Sequence, residues 1–273
     1  ADGRNDSGDR VMRAVSPMFG VAARLSPLHS VYGNVGSAFE TPTTTELGNH
    51  ADGTAGLNPD LKPQFSTTYE VGAKGLAVSR LQYDVALFDI EVRDELIPFG
   101  IPGGAGRTYY RNAGRTRRRG AELSIGTDIG PVTTTAVYTR SNFRFRDFVN
   151  AGVQYAGKSV PGIPENQVQA IATWHLPRAY ASAEFVAKSR VFVNDANAAA
   201  APAYGLVNAR VGGLASFGRP WLSPVIGVQN AFDRKYISSV AVNAGPNVAT
   251  TKFYEPGAGR LWYVGLSAAT NPW

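Results

Sequence analysis

The chain has 273 residues, with 27 Lys+Arg against 21 Asp+Glu and a formal net charge of +6. Hydrophobic residues make up 44% of the sequence, which is enough to bury a core and argues against disorder. The chain contains no Cys, which excludes disulfides and Cys-ligated metals, and no apolar run approaches the roughly 18 residues of a membrane-spanning helix.

Apolar residues recur at every second position of many segments, which is typical of strands with two unlike faces. In 121–128, Ala121, Leu123 and Ile125 lie on one face and polar residues lie on the other. Such segments predict eleven strands, at about 17–26, 29–39, 66–76, 80–94, 116–128, 131–145, 165–176, 179–192, 204–217, 221–236 and 260–272.

The lengths of the strands and of their connections indicate a membrane barrel. Strands of about ten residues match a tilted transmembrane strand and exceed the usual 5–6 residues of globular proteins. Tight turns such as Gly130-Pro131 alternate with long polar connections. Outer-membrane barrels alternate short periplasmic turns and long extracellular loops in this way. The long connections are about 40–65, 95–115, 146–164, 193–203 and 237–259.

Eleven is an odd number, whereas bacterial single-chain barrels have an even number of strands. An unpaired strand in hydrocarbon would leave backbone polar groups unsatisfied, at several kcal/mol each. We therefore expect an N-terminal portion to be missing, and the chain to form the second half of a larger antiparallel barrel.

Five ordered segments carry a resemblance to a known family. They are FETPTTTEL (39–47), NPDLKPQFSTTYEVGAKG (58–75), NAGRTRRRGAELSI (112–125), IGVQNAFDRKY (226–236) and FYEPGAGRLWYVGLS (253–267). Together they resemble the TonB-dependent receptors of the bacterial outer membrane.

The resemblance implies an all-β fold in which residues 1–273 form about the last eleven strands of a 22-stranded barrel. The plug domain, which contacts the TonB complex, and the first half of the barrel would precede them. The aromatic Trp273 is similar to the signal read by the barrel assembly machinery. The implied function is TonB-dependent uptake, typically of a ferric siderophore or a similar small ligand, by a protein embedded in outer-membrane lipids.

The expected ligand-binding residues are Arg and Tyr side chains in or near the long connections. Arg supplies charge for an anionic chelate, and Tyr supplies rigid contact area. The alternative for each aromatic is the girdle at the membrane interface. The candidates are Arg107, Tyr109, Tyr110, Arg111, Arg144 and Tyr254.

The densest charge run comprises Arg115 and residues 117–119. Nucleic-acid binding is not expected, because the run leads directly into an alternating strand and no second basic stripe follows. A rim that contacts lipopolysaccharide phosphates is possible, since Arg suits phosphate geometry. The favoured interpretation is that these arginines line the lumen and pair with Glu70 and Glu122.

Catalysis is not expected. The three histidines, His29, His50 and His175, lie in a turn, in a long connection and near a short turn, and none has the setting of a catalytic base. No metal-ligand spacing occurs. No cofactor is therefore expected, and any iron would arrive already chelated as cargo.

Two other functions remain open on sequence grounds. An autotransporter-type translocator barrel fits the length but needs an even strand count and an N-terminal helix. Residues 1–16 show no apolar period for such a helix. A soluble β-rich adhesion protein is the second alternative.

Overall fold

The computed structural model describes residues 7–48, 50, 52, 54, 56–78, 80–99, 109–112, 114–150, 152–213, 215–216, 221–243 and 254–269. In chain order the elements are β1 (Met18–Ser26), β2 (His29–Glu40), α1 (Thr44–Leu47), β3 (Gln64–Ala77), β4 (Leu81–Arg93), β5 (Leu96–Phe99), β6 (Tyr109–Asn112), β7 (Arg115–Ile129), β8 (Val132–Asp147), β9 (Val149–Asn150), β10 (Val153–Gln154), β11 (Asn166–Leu176), β12 (Ala179–Lys188), β13 (Val191–Phe192), β14 (Ala200–Ala201), β15 (Tyr204–Gly213), β16 (Ala215–Ser216), β17 (Trp221–Gln229), β18 (Ile237–Val240), β19 (Tyr254–Pro256) and β20 (Leu261–Ala269).

Eleven long strands form one antiparallel sheet, in the order β1-β2-β3-β4-β7-β8-β11-β12-β15-β17-β20, and the two-residue β16 also pairs with β17. This confirms the predicted antiparallel strands. Within the described residues, β1 and β20 lie at opposite edges of the sheet and do not pair with each other. Because each long strand pairs with its neighbour along the chain, the short turns collect at one end of the sheet and the long connections at the other.

Two predicted strand ends were wrong. The tenth strand ends at Gln229 rather than at 236, because Asn230 and Asp233 both adopt positive φ and turn the chain. The eighth strand ends at Lys188, and Val191–Phe192 pair instead with β14. In both places a local turn interrupts an apolar pattern that could have continued as strand.

The register gives the sheet two unlike faces. Directly paired residues share a face, and the pairs Tyr69↔Asp89, Val71↔Leu87 and Tyr83↔Ile125 follow one face across the strands. We call this the apolar face, and its exposed large side chains include Tyr69, Val71, Leu87, Ile125, Trp174, Phe185, Val211, Ile226, Val264 and Leu266. The opposite, polar face carries residues such as Asn34, Glu70, Glu122, Gln169, Glu184 and Asn208.

Four glycines on the polar face lie directly opposite aromatic residues on neighbouring strands. In each pair the ring covers the glycine so closely that a Cβ there would enter the ring's van der Waals surface. The aromatic side chain takes the place of the missing one, which fixes the register of the two strands. The pairs are Tyr32↔Gly72, Phe88↔Gly120, Tyr180↔Gly212 and Gly227↔Tyr263.

The long connections are folded on themselves. Four of them contain small antiparallel hairpins, β5/β6, β9/β10, β13/β14 and β18/β19. A fifth contains α1, whose first turn is closed by a capping box between Thr43 and Glu46. Among the described residues, no helix combines the length and the apolarity required to cross a membrane.

We call the described parts of these connections, with the strand ends that enter them, the loop cap. Its core is formed by Ile97, Phe145 and Phe148, against which Tyr155 and Val160 pack. The Phe145 and Phe148 ring centroids are 4.7 Å apart. Most of the deeply buried apolar side chains of the described chain therefore lie in the loop cap, and few lie in the sheet.

Candidate functional site

The loop cap contains a cavity of about 270 Å³. It opens between the end of β8, residues 157–165 and the chain around β13. Its lining residues are Ser141, Asn142, Phe143, Arg144, Gly157, Lys158, Ser159, Val160, Ile163, Glu165, Ser189, Arg190, Phe192 and Asn197. We call it the cap cavity.

The cavity arises from a gap in backbone pairing beside β8. Residues 157–160 pair with the end of β8, with Val160 N donating to Phe143 O at 3.0 Å, and pairing resumes where Ser141 N donates to Glu165 O at 2.8 Å. Between these points Pro161 and Pro164 have no N–H to donate. Gly162, at φ +85°, turns away and donates to Phe192 O at 2.8 Å. The intervening segment therefore leaves β8 and opens the cavity.

The cavity wall carries an excess of positive charge. Arg144, Lys158 and Arg190 face one carboxylate, Glu165, whose Oε1 is already 3.1 Å from Arg140 Nη2. Within the described residues, neither Lys158 nor Arg190 forms an ion pair. A cavity with several cations that its own carboxylate does not neutralise favours an anionic ligand.

Arg144 is held in place by its neighbours. Its Nε donates to Asn142 Oδ1 at 2.7 Å and its Nη1 to Gly157 O at 2.9 Å. Both acceptors are uncharged, so the positive charge is oriented without being neutralised. Arg190 stacks over the Phe192 ring at 5.1 Å, which positions a second guanidinium on the wall.

Asn197 connects two connections across the cavity. Its Oδ1 accepts from Ser159 N at 2.7 Å and its Nδ2 donates to Ser159 O at 2.9 Å. Its positive φ of 55° is one that Asn tolerates better than most residues. The Asn197 side chain thus makes the two hydrogen bonds to the Ser159 backbone that a neighbouring strand would make. These bonds hold the 157–165 segment against the β13/β14 hairpin.

The structure brings together some of the predicted ligand-binding residues. Arg144 lines the cap cavity. Tyr254 lies next to it, because its Oη donates to the carbonyl of Ala200 at 3.3 Å, and Ala200 pairs with the cavity residue Phe192. Arg107 and Trp273 lie outside the described residues.

Tyr109 and Arg111 lie inside the loop cap. Tyr109 is buried, Tyr110 is half-buried, and the Arg111 guanidinium packs 5.4 Å from the centroid of the Phe148 ring. These positions suit a structural contribution to the loop cap.

Arg111 and Asp195 influence each other's pKa inside the loop cap. Burial lowers the pKa of the Arg111 guanidinium below its ordinary value, and nearby Asp195 opposes this effect. Burial raises the pKa of the Asp195 carboxyl, against a hydrogen bond from Asn243 and the charge of Arg111. Asn243 Nδ2 donates to Asp195 Oδ1 at 3.0 Å. Together these groups connect three of the long connections.

Sequence reasoning missed Lys158, Arg190 and Asn197. Lys158 lies between Gly157 and Pro161 in a long connection. The sequence there predicted a loop, but it did not predict that the loop would fold against the end of β8. Arg190 was assigned to the interior of a predicted strand. The paired Pro161 and Pro164 were the one available signal, because they predict a local break in pairing.

The predicted pairing of the arginine run was wrong. Arg117 and Arg119 lie on the apolar face and both bind Asp89, with Nε–O distances of 2.8 and 3.0 Å. Arg118 lies on the opposite face and pairs with the buried Glu95. Alternation along the strand sends neighbouring arginines to opposite faces. Their partners are Asp89 of β4 and Glu95, which follows β4, in place of Glu70 and Glu122.

Comparisons with known proteins agree with this architecture. Residues 1–231 match the sequence model described as TonB dependent receptor-like, beta-barrel. An iron-regulated outer membrane virulence protein of Vibrio cholerae is 24% identical over 187 residues, which are 63% of this chain and 28% of that protein.

Two solved structures show the same fold. The ferric citrate transporter FecA superposes with a TM-score of 0.73 at 20% identity, over 93% of this chain and 38% of that one. The ferric-catecholate import receptor Fiu of E. coli K12 superposes with a TM-score of 0.68 at 20% identity, over 92% and 34%.

The chain thus spans about a third of the length of these relatives. The family match does not favour the translocator and adhesion alternatives. The residues matched, the eleven antiparallel strands and their two unlike faces lead to one conclusion: the chain belongs to the TonB-dependent receptor-like β-barrel family of the bacterial outer membrane.

Proposed function

We propose that this chain forms the C-terminal part of a receptor that takes up an anionic ferric chelate, most simply a ferric siderophore. The observation that carries the proposal is the cap cavity, where Arg144, Lys158 and Arg190 face the single carboxylate of Glu165. Ferric citrate and ferric catecholates, named for two structural neighbours, are ligands of this charge type.

The charged and the aromatic residues of the cavity contact different parts of the ligand in this proposal. Arg144, oriented by two uncharged acceptors, offers its remaining N–H groups to chelate oxygens. Lys158 and Arg190 supply further charge, and the Phe143 and Phe192 rings supply contact area for an aromatic chelator. The cavity, at about 270 Å³, is slightly below the 300–1,000 Å³ of typical ligand pockets. It therefore holds part of a ligand that other loops also contact.

The sheet forms part of the wall of the transport path. We propose that its apolar face contacts lipid and its polar face lines the lumen. Its two unpaired edges in the described chain join the rest of a 22-stranded barrel, which is the size class with a plugged lumen. A plug and the TonB complex then drive transport, and the barrel assembly machinery inserts the whole protein.

The protein performs binding rather than bond chemistry in this proposal. Iron is the cargo and remains coordinated by its chelator, so no resident cofactor is needed. Specificity then depends on charge and shape, and the chelate must carry the negative charge that complements the cap cavity.

The test is direct binding to the receptor that contains this chain, purified in detergent. Ferric citrate and an Fe(III) tris-catecholate serve as probes, each compared with its iron-free chelator by tryptophan fluorescence quenching. We expect iron-loaded probes to bind and the double variant Arg144→Gln/Lys158→Gln to weaken binding about tenfold or more, because each loses a charged contact. The control is Arg178→Gln, an exposed arginine in a short turn.

Two outcomes contradict the proposal. Equal affinity for iron-loaded and iron-free chelators would exclude a ferric chelate as the specific ligand. Parent-like affinity of the cavity variant, or an equal loss of affinity in the Arg178 control, would remove the cavity as its site.

A further inference from the structure

The connection between β17 and β20 reaches back to both segments that border the cap cavity. The Asn243 N–H donates to Val193 O at 2.9 Å, and Val193, which directly follows β13, is fully buried. One residue earlier, Val242 Cγ2 lies 2.8 Å from the position that a Cβ on Gly162 would occupy. Val242 and Asn243 therefore contact the chain on either side of the cavity, although neither residue lines it.

The side chain of Asn243 pairs with Asp195 through two hydrogen bonds. Its Oδ1 accepts from the Asp195 N–H at 3.1 Å, and its Nδ2 donates to Asp195 Oδ1 at 3.0 Å. Asp195 is buried, and hydrogen bonds are stronger in such a low-dielectric setting. Asn243 has a φ of 51°, a left-handed conformation that Asn tolerates better than most residues. The connection is thus fixed to the chain that follows β13.

Asp195 lies in a tight turn whose last residue contacts the cavity wall. The Asn197 N–H donates to Asn194 O at 3.0 Å and closes the turn. Asn197 Nδ2 also donates to the same carbonyl at 3.2 Å. The Asn197 side chain makes its two further hydrogen bonds to the backbone of Ser159. A displacement of Asp195 therefore also displaces the segment that carries the cavity residue Lys158.

The charged surroundings of Asp195 make its pairing with Asn243 sensitive to charge. Arg111 of β6 acts electrostatically on Asp195, and Tyr155, from the connection after β10, acts on Arg111. Burial nevertheless raises the pKa of the Asp195 carboxyl. A second carboxylate at the position of Asn243 would face a carboxyl whose ionised form is already disfavoured, and the two groups would repel each other.

We propose that Asn243 is a positioning residue for the cap cavity and acts through the turn of residues 194–197. The turn holds the backbone of Ser159, and with it the adjoining Lys158, in a fixed place on the cavity wall. A wall that is ordered before an anion binds has less to lose in conformational entropy on binding, which raises affinity. The effect on affinity rests on the proposed uptake function, whereas the ordering of the wall rests on these hydrogen bonds alone.

The experiment compares Asn243→Asp with the parent, in the receptor that contains this chain, purified in detergent. The substitution keeps the size of the side chain but replaces the Nδ2 donor by a carboxylate oxygen that faces Asp195 Oδ1. Two such carboxyls share a proton at low pH and repel each other once that proton is lost. Relative to the parent, we expect amide protection in residues 157–160 to fall about tenfold at about pH 7.5 and to recover at about pH 5. Hydrogen exchange read by mass spectrometry measures this protection.

Binding of ferric citrate, followed by tryptophan fluorescence quenching, should change in the same way. Asn243→Asp should bind about three- to tenfold more weakly than the parent at the higher pH and as the parent does at the lower. Adding Asp195→Asn should restore protection and affinity at the higher pH, because the new amide can donate to the new carboxylate. Neither the pH profile nor this rescue follows from a general loosening of the loop cap.

The matched control is Gln154→Glu, which adds the same charge at an exposed position of the loop cap. Its carboxylate can still accept from the Ala156 N–H, as Gln154 Oε1 does, so it should match the parent at both pH values. Asn243→Ala removes the two side-chain bonds without adding charge and should lower protection equally at both. It keeps the proposal testable if Asn243→Asp does not fold.

Parent-like protection of residues 157–160 in both Asn243 variants would overturn the proposal. A loss in Asn243→Asp that neither low pH nor Asp195→Asn reverses would also overturn it, as would an equal loss in the Gln154 control. Lost protection with an unchanged affinity for ferric citrate would overturn the positioning of the ligand.

The two measurements separate this inference from the uptake proposal. A parent that binds none of the ferric probes counts against uptake. In that case, reversible loss of protection in Asn243→Asp still supports the ordering of the cavity wall by Asn243.

Discussion

The sheet and the loop cap differ in how far they bury their large apolar side chains. The strands expose large apolar side chains such as Leu87, Phe185 and Val264, whereas the loop cap buries Phe145 and Phe148 almost completely. The sheet is held by backbone pairing and leaves the large side chains of its apolar face exposed within the described chain, whereas the loop cap buries apolar side chains in a small core of its own. The comparison teaches that the residues proposed to bind ligand lie where strand ends and long connections pack around a small globular core.

The largest expected effect follows from emptying the core of the loop cap. Phe145→Ala should destabilise the loop cap by about 3–5 kcal/mol, because the ring is 1% exposed and packs on Phe148. Limited proteolysis in residues 148–160 should become much faster, while the barrel remains folded by heat-modified gel mobility. The control is Val149→Ala, which truncates an exposed side chain. Simultaneous loss of the barrel would contradict the separation of the two regions.

A second effect tests the sheet. Gly72→Ala should cost about 1–3 kcal/mol, because the new Cβ overlaps the Tyr32 ring, and urea titration in detergent would measure it. Gly126→Ala is the matched control, since the nearest atom to its Cβ is 3.7 Å away. Tyr32→Ala in the Gly72→Ala background should recover part of the loss. Equal stability of both glycine variants would show that the ring does not pin the register.

The smallest effect is a pH dependence confined to the loop cap. Because the folded-state pKa of Asp195 is raised, the folded protein keeps a proton that the unfolded chain has already lost. The stability of the loop cap should therefore fall as pH rises from the ordinary Asp pKa of about 3.8 through the raised value, and the cost of burying the charge is fully present above it. Hydrogen exchange in residues 191–201 would measure the change.

Asp195→Asn should remove this pH dependence, because the amide cannot ionise and its Oδ1 can still accept from Asn243. The control is Glu255→Gln, which alters an exposed carboxyl in another hairpin. A pH response that persists in the Asp195 variant would assign it to a different group.

Much of the sheet could be predicted from the sequence because its information is local. Ala121, Leu123 and Ile125 alternate with polar neighbours, and this alternation places them on the apolar face wherever the strand pairs. The ends of strands were less predictable. Asn230 stops β17 through contacts that are distant in sequence, since its Nδ2 donates to Ala258 O at 3.1 Å and its N–H to Asn208 Oδ1 at 2.9 Å.

The proposed binding site was only partly predictable. Arg144 was a candidate because Arg and aromatic residues cluster at the end of its strand, and the structure places it on the wall of the cap cavity. Lys158 and Arg190 were not, because their common cavity depends on how two connections fold toward each other. Asn197 joins the two connections by hydrogen bonds to the backbone of Ser159. Such bonds cannot be predicted from the pattern of side chains in the sequence.

The sequence by itself determined the strands, their antiparallel order and the division into an apolar and a polar face. It could do so because period-two alternation and short turns act between residues that are close in the chain. The tertiary structure decided the partners of the arginines and the position of the cap cavity. Those depend on which strands pair in which register and on how the long connections pack, and such contacts join residues that the sequence keeps far apart.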